Sequence, residues 1–235
     1  MALPILESPK YDISLPSTGK VIQYRPFLVK EEKIMLMAQE SGSSREMLSA
    51  MKDVVKACTF NKVVPNDLTS FDLEFLFLKL RTKSVGETSN IKIECSKCKE
   101  FTDVELNLDE IKSPKVNDHD NKLMLNDTVG IMMRYIRVRD LAQMTDEKST
   151  SADTISTTII ASIQSIFDEN GVYQTDESTK AELLSFVNSL NRAQVKEIEK
   201  FIATTPKVES VVKFECEHCK EKNETTLSGV QSFFG

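Results

Sequence analysis

From Leu28 onward the apolar positions recur at helical spacing. Ile34, Met35, Met37 and Ala38 share one face of a first helix, with Lys30, Glu31, Glu32 and Lys33 placed outside it. Ser41-Gly42-Ser43-Ser44 breaks the pattern, and Ser43 or Ser44 is placed to cap a second helix. Met47, Leu48, Met51, Val54, Val55 and Cys58 form one stripe, which predicts that second helix over roughly 45–58. After the Pro65-Asn66-Asp67 turn, Thr69 and Asp72 open a third helix whose face is Phe71, Phe75, Leu78 and Leu80, and Gly86 stops it. Upstream, residues 1–19 carry Pro4, Pro9 and Pro16 with no sustained period and read as an extended arm. Val21–Arg25 reads as a short strand closed by Pro26.

At residue 89 the period falls to two. Ile91 and Ile93 alternate with Lys92 and Glu94, Cys95-Ser96-Lys97-Cys98 comes next, and Val104, Leu106 and Leu108 alternate again, which predicts strand, knuckle, strand. Asn117–Asn121 is a polar turn, and Lys122–Leu125 with Val129–Tyr135 predicts a hairpin around Asn126-Asp127. Leu141–Met144 reads as a short helix and Thr145–Thr150 as a polar linker. Ile155, Ile159, Ile160, Ile163 and Ile166 predict one amphipathic helix. A turn at Asp168–Gly171, a brief strand at Val172-Tyr173, a helix from Asp176 through Leu190 and another over Asn191–Ile202 complete this stretch. Val211–Glu215 is again a strand and leads into Cys216-Glu217-His218-Cys219, and Leu227–Phe234 closes with a helical turn that buries Phe233 and Phe234.

The two cysteine segments match without a gap. Lys92, Glu94, Cys95, Cys98, Lys99, Glu100 and Leu106 recur as Lys213, Glu215, Cys216, Cys219, Lys220, Glu221 and Leu227. The chain therefore carries one strand–CxxC–strand unit twice. Two residues between cysteines let both thiolates face one ion at about 2.3 Å, and a closed tetrahedral site needs four such ligands. Cys95, Cys98, Cys216 and Cys219 supply them in the manner of a zinc ribbon, with 117 residues between Cys98 and Cys216. Such an ion is structural, with no open position for water. An iron–sulfur centre uses the same ligand type, two independent CxxC redox pairs use the same spacing, and reduced structural thiols without metal remain a further reading.

Composition narrows the function classes. The chain has 235 residues, 40% of them hydrophobic and 28% charged, with a formal net charge of −6. That supports an apolar core and gives no basic tract for nucleic acid. No stretch approaches the eighteen apolar residues of a membrane span, and the first residues lack the basic and apolar regions of a signal peptide. A reducing compartment is expected, where paired cysteines hold metal or do redox work rather than form disulfides. Seven glycines are few for cofactor loops, and Gly19-Lys20 lacks the rest of a phosphate loop. Asp118-His119-Asp120 opens like a calcium loop but has Leu123 at its sixth position, and Asp168-Glu169-Asn170 fails the same way. Cys58 belongs to the apolar stripe, His218 points away from its knuckle, and His119 sits in a polar turn. Asn126 and Asn223 are formal glycosylation acceptors with nothing to suggest secretion. No nucleophile–base arrangement emerges, so the catalytic and cofactor-binding residue sets are empty and no enzyme is expected.

Three blocks in order carry a family resemblance. Leu15-Pro-Ser-Thr-Gly-Lys-Val-Ile-Gln-Tyr-Arg-Pro-Phe-Leu-Val-Lys-Glu-Glu-Lys33 is the first, and Phe71-Asp-Leu-Glu-Phe-Leu-Phe-Leu-Lys-Leu-Arg81 with Lys83-Ser-Val-Gly-Glu87 the second. The third runs from Pro206-Lys-Val208 through Cys216 and Cys219 to Leu227, Gly229 and Phe233-Phe-Gly235. Together they resemble the baseplate proteins of T-even-type contractile-tail phages. The second knuckle departs from common zinc knuckles in lacking their Pro and Gly. The resemblance implies a baseplate hub component that binds other hub and tail-tip proteins in the virion tail, assembled in the host cytoplasm. It equally implies, as the alternative, a hub assembly chaperone absent from the mature virion. A CxxC thiol redox protein is the third reading, from the cysteines alone.

The expected fold is α+β. A helical N-terminal region (20–87) comes after the arm (1–19) and accompanies a discontinuous four-cysteine zinc ribbon (88–113 with 207–235), which a mainly helical insertion (114–206) interrupts. Zinc is the expected metal ahead of an iron–sulfur cluster. Self-association is left open, and neither nucleic acid nor a membrane span is expected.

Overall fold

The structure, a computed structural model, describes residues 6–116, 120–144 and 151–233. The expectations placed on Asp118 and His119, on Thr145–Thr150 and on Phe234 lie outside them. In chain order the described elements begin with β1 (Tyr11–Ser14), β2 (Val21–Tyr24), α1 (Val29–Ser41), α2 (Ser44–Cys58), α3 (Ser70–Val85), β3 (Thr88–Glu94) and β4 (Phe101–Asn107). Next come β5 (Lys122–Met124), β6 (Gly130–Met133), α4 (Val138–Met144), α5 (Ser151–Ala161), β7 (Ile163–Asp168) and β8 (Gly171–Gln174). The last are α6 (Lys180–Ser189), α7 (Arg192–Ala203), β9 (Glu209–Glu215) and β10 (Lys222–Ser228). Helices and small antiparallel sheets together make the chain α+β, as expected. Over the described residues it divides into two units, Met1–Pro65 with Phe71–Lys115 and Lys207–Gly235, and Asn66–Ser70 with Val116–Pro206.

The first unit is organised by α3. Phe71, Leu73, Phe75, Leu76, Phe77, Leu78 and Leu80 are all buried, more than the single face expected from sequence. A helix apolar on every side has to sit inside its unit. Phe75 and Leu78 pack with Ile91 and Ile93 of β3, Leu106 of β4, Leu108, Ile111, Val208, Val212 of β9 and Phe233. Both cysteine hairpins therefore rest on one helix through one apolar cluster. Tyr11–Ser14, inside the stretch read as an arm, pairs antiparallel with β2, and Ile13 packs against the same cluster.

Helix α1 departs from its expected face. Glu31, expected outside, is 2% exposed, whereas Met37, expected inside, is 70% exposed. The reason is Arg25, which precedes the helix. Its guanidinium donates to Glu31 at 2.9 Å and to the Pro26 carbonyl, and the Glu31 carboxylate also accepts the Leu28 amide at 2.8 Å. A charge buried with a partner and an amide donor is tolerated where an isolated one is not. Helix α2 keeps its expected stripe, with Ser43 accepting from the Glu46 amide as its N-cap.

The second unit holds an antiparallel sheet in the order β5-β6-β7-β8. Ile131, Met133 and Ile163 from the sheet pack with Ile159 of α5, Val187 of α6 and Ile198 and Phe201 of α7. The single helix expected over Ile155–Ile166 is corrected here. Helix α5 ends at Ala161, and Ile163 and Ile166 belong to β7, whose neighbours are β6 and β8. Isoleucine favours strands when the next strands can cover it, and a spacing of three satisfies a short strand as readily as a helix. The helix expected from Asp176 starts instead at Lys180, because Thr179 and Glu182 form a reciprocal cap.

The packing of the first unit sets the cost of two substitutions. Leu78→Ala should cost about 2–5 kcal/mol in chemical denaturation, as for other fully buried leucines. Arg25→Ala should cost about 3 kcal/mol at neutral pH, because it strands a buried carboxylate. Burial raises the Glu31 carboxyl, but the Arg25 and Leu28 hydrogen bonds and the Arg25 and Lys30 charges outweigh it and hold it below the usual range. The pair's contribution is therefore complete above the unfolded carboxyl value of about 4.3 and lost as pH falls through the lower folded value. The gap between wild type and Arg25→Ala should narrow in acid.

Candidate metal centre

The four paired cysteines meet although two of them lie 118 positions apart. The Sγ atoms of Cys95, Cys98, Cys216 and Cys219 all lie within 4.8 Å of one another. Cys95 approaches Cys219 at 3.7 Å and Cys98 approaches Cys216 at 3.6 Å, so these close contacts run between the knuckles. Four sulfurs on a tetrahedron of 2.3 Å bonds stand about 3.8 Å apart. The observed spacing fits one ion with four thiolates. Cys95 and Cys216 are fully buried, and Cys98 and Cys219 are partly exposed.

The local chain explains this geometry. In each knuckle the first cysteine donates its amide to the carbonyl five residues on, Cys95 to Glu100 and Cys216 to Glu221, both at 2.9 Å. Its carbonyl accepts the amide four residues on, from Lys99 and from Lys220. Those lysines turn the chain with φ of 65° and 59°, in the left-handed region usually left to glycine. The glycine missing from the second knuckle is thus replaced by a lysine in the same conformation, as in the first. The hairpins agree throughout. Thr88 faces Asn107 at the open end of one, and Glu209 faces Ser228 at the equivalent position of the other.

The hairpins also exchange hydrogen bonds. Asn223, buried on β10, accepts from the amide and hydroxyl of Ser96 at 3.0 and 2.7 Å. Its amide nitrogen donates to the Glu221 carbonyl at 3.0 Å and to Cys95 Sγ at 3.4 Å. Thr102, buried on β4, accepts from the Glu217 amide at 3.4 Å. Sequence reasoning missed both residues, and met Asn223 only as a glycosylation acceptor, a use its four internal hydrogen bonds preclude. The signal available was position. In the ungapped alignment Thr102 and Asn223 correspond, each seven residues after its first cysteine.

The surroundings favour anionic sulfur at the head of each knuckle. For Cys95 the Cys98 amide leads. Burial opposes it, and the Lys97 amide, Asn223 and the Cys219 sulfur help hold the thiol down at about 6. Cys216 is lowered likewise by the Cys219 amide against burial, with the His218 amide, Thr102 and Cys98 adding to it. At Cys98 the Glu100 amide pulls the other way, but burial and the sulfurs of Cys219, Cys216 and Cys95 push the thiol up to about 12. That is the pattern of crowded sulfurs sharing protons where a cation would replace them.

The remaining candidates stand apart from this cluster. Cys58 is buried at the end of α2, where burial pushes its thiol up to about 11 and Arg25 lies at 3.7 Å. His218 is exposed at the knuckle tip. Among the described residues the four paired cysteines form the only such potential metal-binding group, and no helix is long and apolar enough to cross a membrane.

Comparison with known proteins turns on the whole chain rather than on the knuckles alone. No curated protein and no solved structure matches it. The family model described as T4 bacteriophage base plate protein matches residues 8–235, a span that takes in both cysteine hairpins and everything between them. The chain belongs to the T4 bacteriophage base plate protein family.

Proposed function

We propose that this protein is a structural subunit of the phage tail baseplate hub, and that one zinc ion held by Cys95, Cys98, Cys216 and Cys219 pins its two hairpins into a scaffold for other hub and tail-tip proteins. The carrying observation is the meeting of four sulfurs, from hairpins far apart in sequence, at the spacing of one tetrahedral site. All-thiolate tetrahedral sites suit zinc, and four protein ligands leave no position for substrate. The reading therefore gives the chain a binding role and no catalytic one. Membership of the baseplate family supports association with other baseplate proteins in the virion tail. Helix α1 leaves Val29, Leu36 and Met37 more than half exposed, apolar surface of the kind that protein partners cover.

Elemental analysis of protein purified without chelator should find about one zinc per chain, and less than half an equivalent contradicts the site, since a closed four-ligand centre fills fully. Cys95→Ser and Cys216→Ser should each lose the ion and lower the denaturation midpoint. A thiol redox protein would instead lose exchange activity in Cys95→Ser with metal and stability unchanged. Zinc affinity should fall on acidification, because each ligand sulfur must give up its proton to bind. Quantitative composition of purified tails should show the protein present at fixed stoichiometry. Its absence from finished particles would establish the assembly chaperone in place of the subunit.

A further inference from the structure

Each cysteine hairpin carries one buried polar side chain that serves the other hairpin. Asn223, on β10, bonds Ser96 and the sulfur of Cys95 in the first knuckle. Thr102, on β4, accepts from the amide of Glu217 in the second, the residue next to Cys216. The contacts cross, and the Asn223 amide ends on Cys95, the leading and fully buried cysteine of the opposite knuckle. We infer that Asn223 and Thr102 are a crossed pair of positioning residues for the metal centre: Asn223 fixes the buried Cys95 sulfur before an ion arrives, and Thr102 holds the backbone beside Cys216. The inference rests on the metal reading given above.

Three observations separate this role from packing. First, all four hydrogen-bonding positions of the Asn223 amide are used, so its orientation is fixed rather than averaged. Second, the donor reaches sulfur itself. An N–H or O–H aimed at a thiolate stabilises the anion and leaves the remaining lone pairs directed at the ion, which a methyl group of the same size does not do. Third, the arrangement occurs twice with different residues, Asn in one hairpin and Thr in the other. What the two share is an acceptor for a backbone amide of the opposite knuckle, Ser96 for Asn223 and Glu217 for Thr102, not a shape. The other side-chain link between the knuckle tips, Lys97 to Glu221 at 2.7 Å, is exposed and so contributes little.

The role of Asn223 should be transferable to threonine and not to valine, which has threonine's shape without its hydroxyl. The test uses the full chain with Asn223→Thr and Asn223→Val, loaded with cobalt(II) as the probe. Thiolate-to-cobalt absorption reports the ligand geometry, and competition with a chelator gives the affinity. Asn223→Val should bind about 10–100-fold more weakly, with altered charge-transfer bands, as found for other outer-sphere partners of metal ligands, while Asn223→Thr stays within about threefold of wild type. Equal affinity and equal spectra for the two variants overturn the proposal. If Asn223→Val does not fold by circular dichroism, Thr102→Val against Thr102→Ser decides on the same terms, with serine keeping the hydroxyl. Wild-type protein that takes up no cobalt overturns the metal reading itself, and with it this role. Wild-type uptake with indistinguishable variants overturns the positioning role alone.

Discussion

Four sulfurs within 4.8 Å of one another set the terms for this molecule. Thiolates at that distance repel, and the buried positions of Cys95 and Cys216 give water no access to screen them. The cluster therefore needs either shared protons or a cation. The pulled-down Cys95 and Cys216 and the pushed-up Cys98 describe the shared-proton state. In the proposed zinc state the ion takes the place of those protons. Structural zinc contributes about 10–16 kcal/mol in small peptides, as much as the roughly 5–15 kcal/mol that stabilises a whole domain. An interaction of that size, placed between two hairpins, decides whether they act as one body.

The sulfurs do not act alone. Phe75 and Leu78 of α3 lie under both hairpins, and Val212 and Ile91 meet in one apolar cluster. This burial is non-directional and holds the hairpins near one another without fixing their register. The crossed hydrogen bonds of Asn223 and Thr102 add direction, and the proposed ion would add strength. In the proposed zinc state the three act in order: the apolar cluster collects the hairpins, the polar contacts align them, and the metal would lock the alignment. The match to the T4 bacteriophage base plate protein family takes in both hairpins.

The sequence exposed some of this readily and hid the rest. The ungapped identity of Cys95-x-x-Cys98 and Cys216-x-x-Cys219 pointed to their meeting, because CxxC spacing has few uses and the repeat doubles the signal. Thr102 and Asn223 escaped the same comparison since they are not identical, and matching by identity cannot see a shared hydrogen-bonding task. Glu31 looked solvent-facing because its partner, Arg25, lies outside the helix whose periodicity places it. Ile163 and Ile166 read as helix because β6 and β8, which cover them, are invisible to a local window. Fold class, the helices α2 and α3, and each CxxC knuckle were local properties, whereas the misread face of α1 and the misread strand β7 depend on partners outside the element itself.

X-ray absorption at the zinc edge of the protein as purified addresses the central claim most directly. One ion held by both hairpins predicts a first shell of four sulfurs at about 2.3 Å, with no light-atom ligand. A shell of nitrogen or oxygen, two sulfurs with solvent completing the coordination, or an iron signal with iron–iron scattering would contradict it.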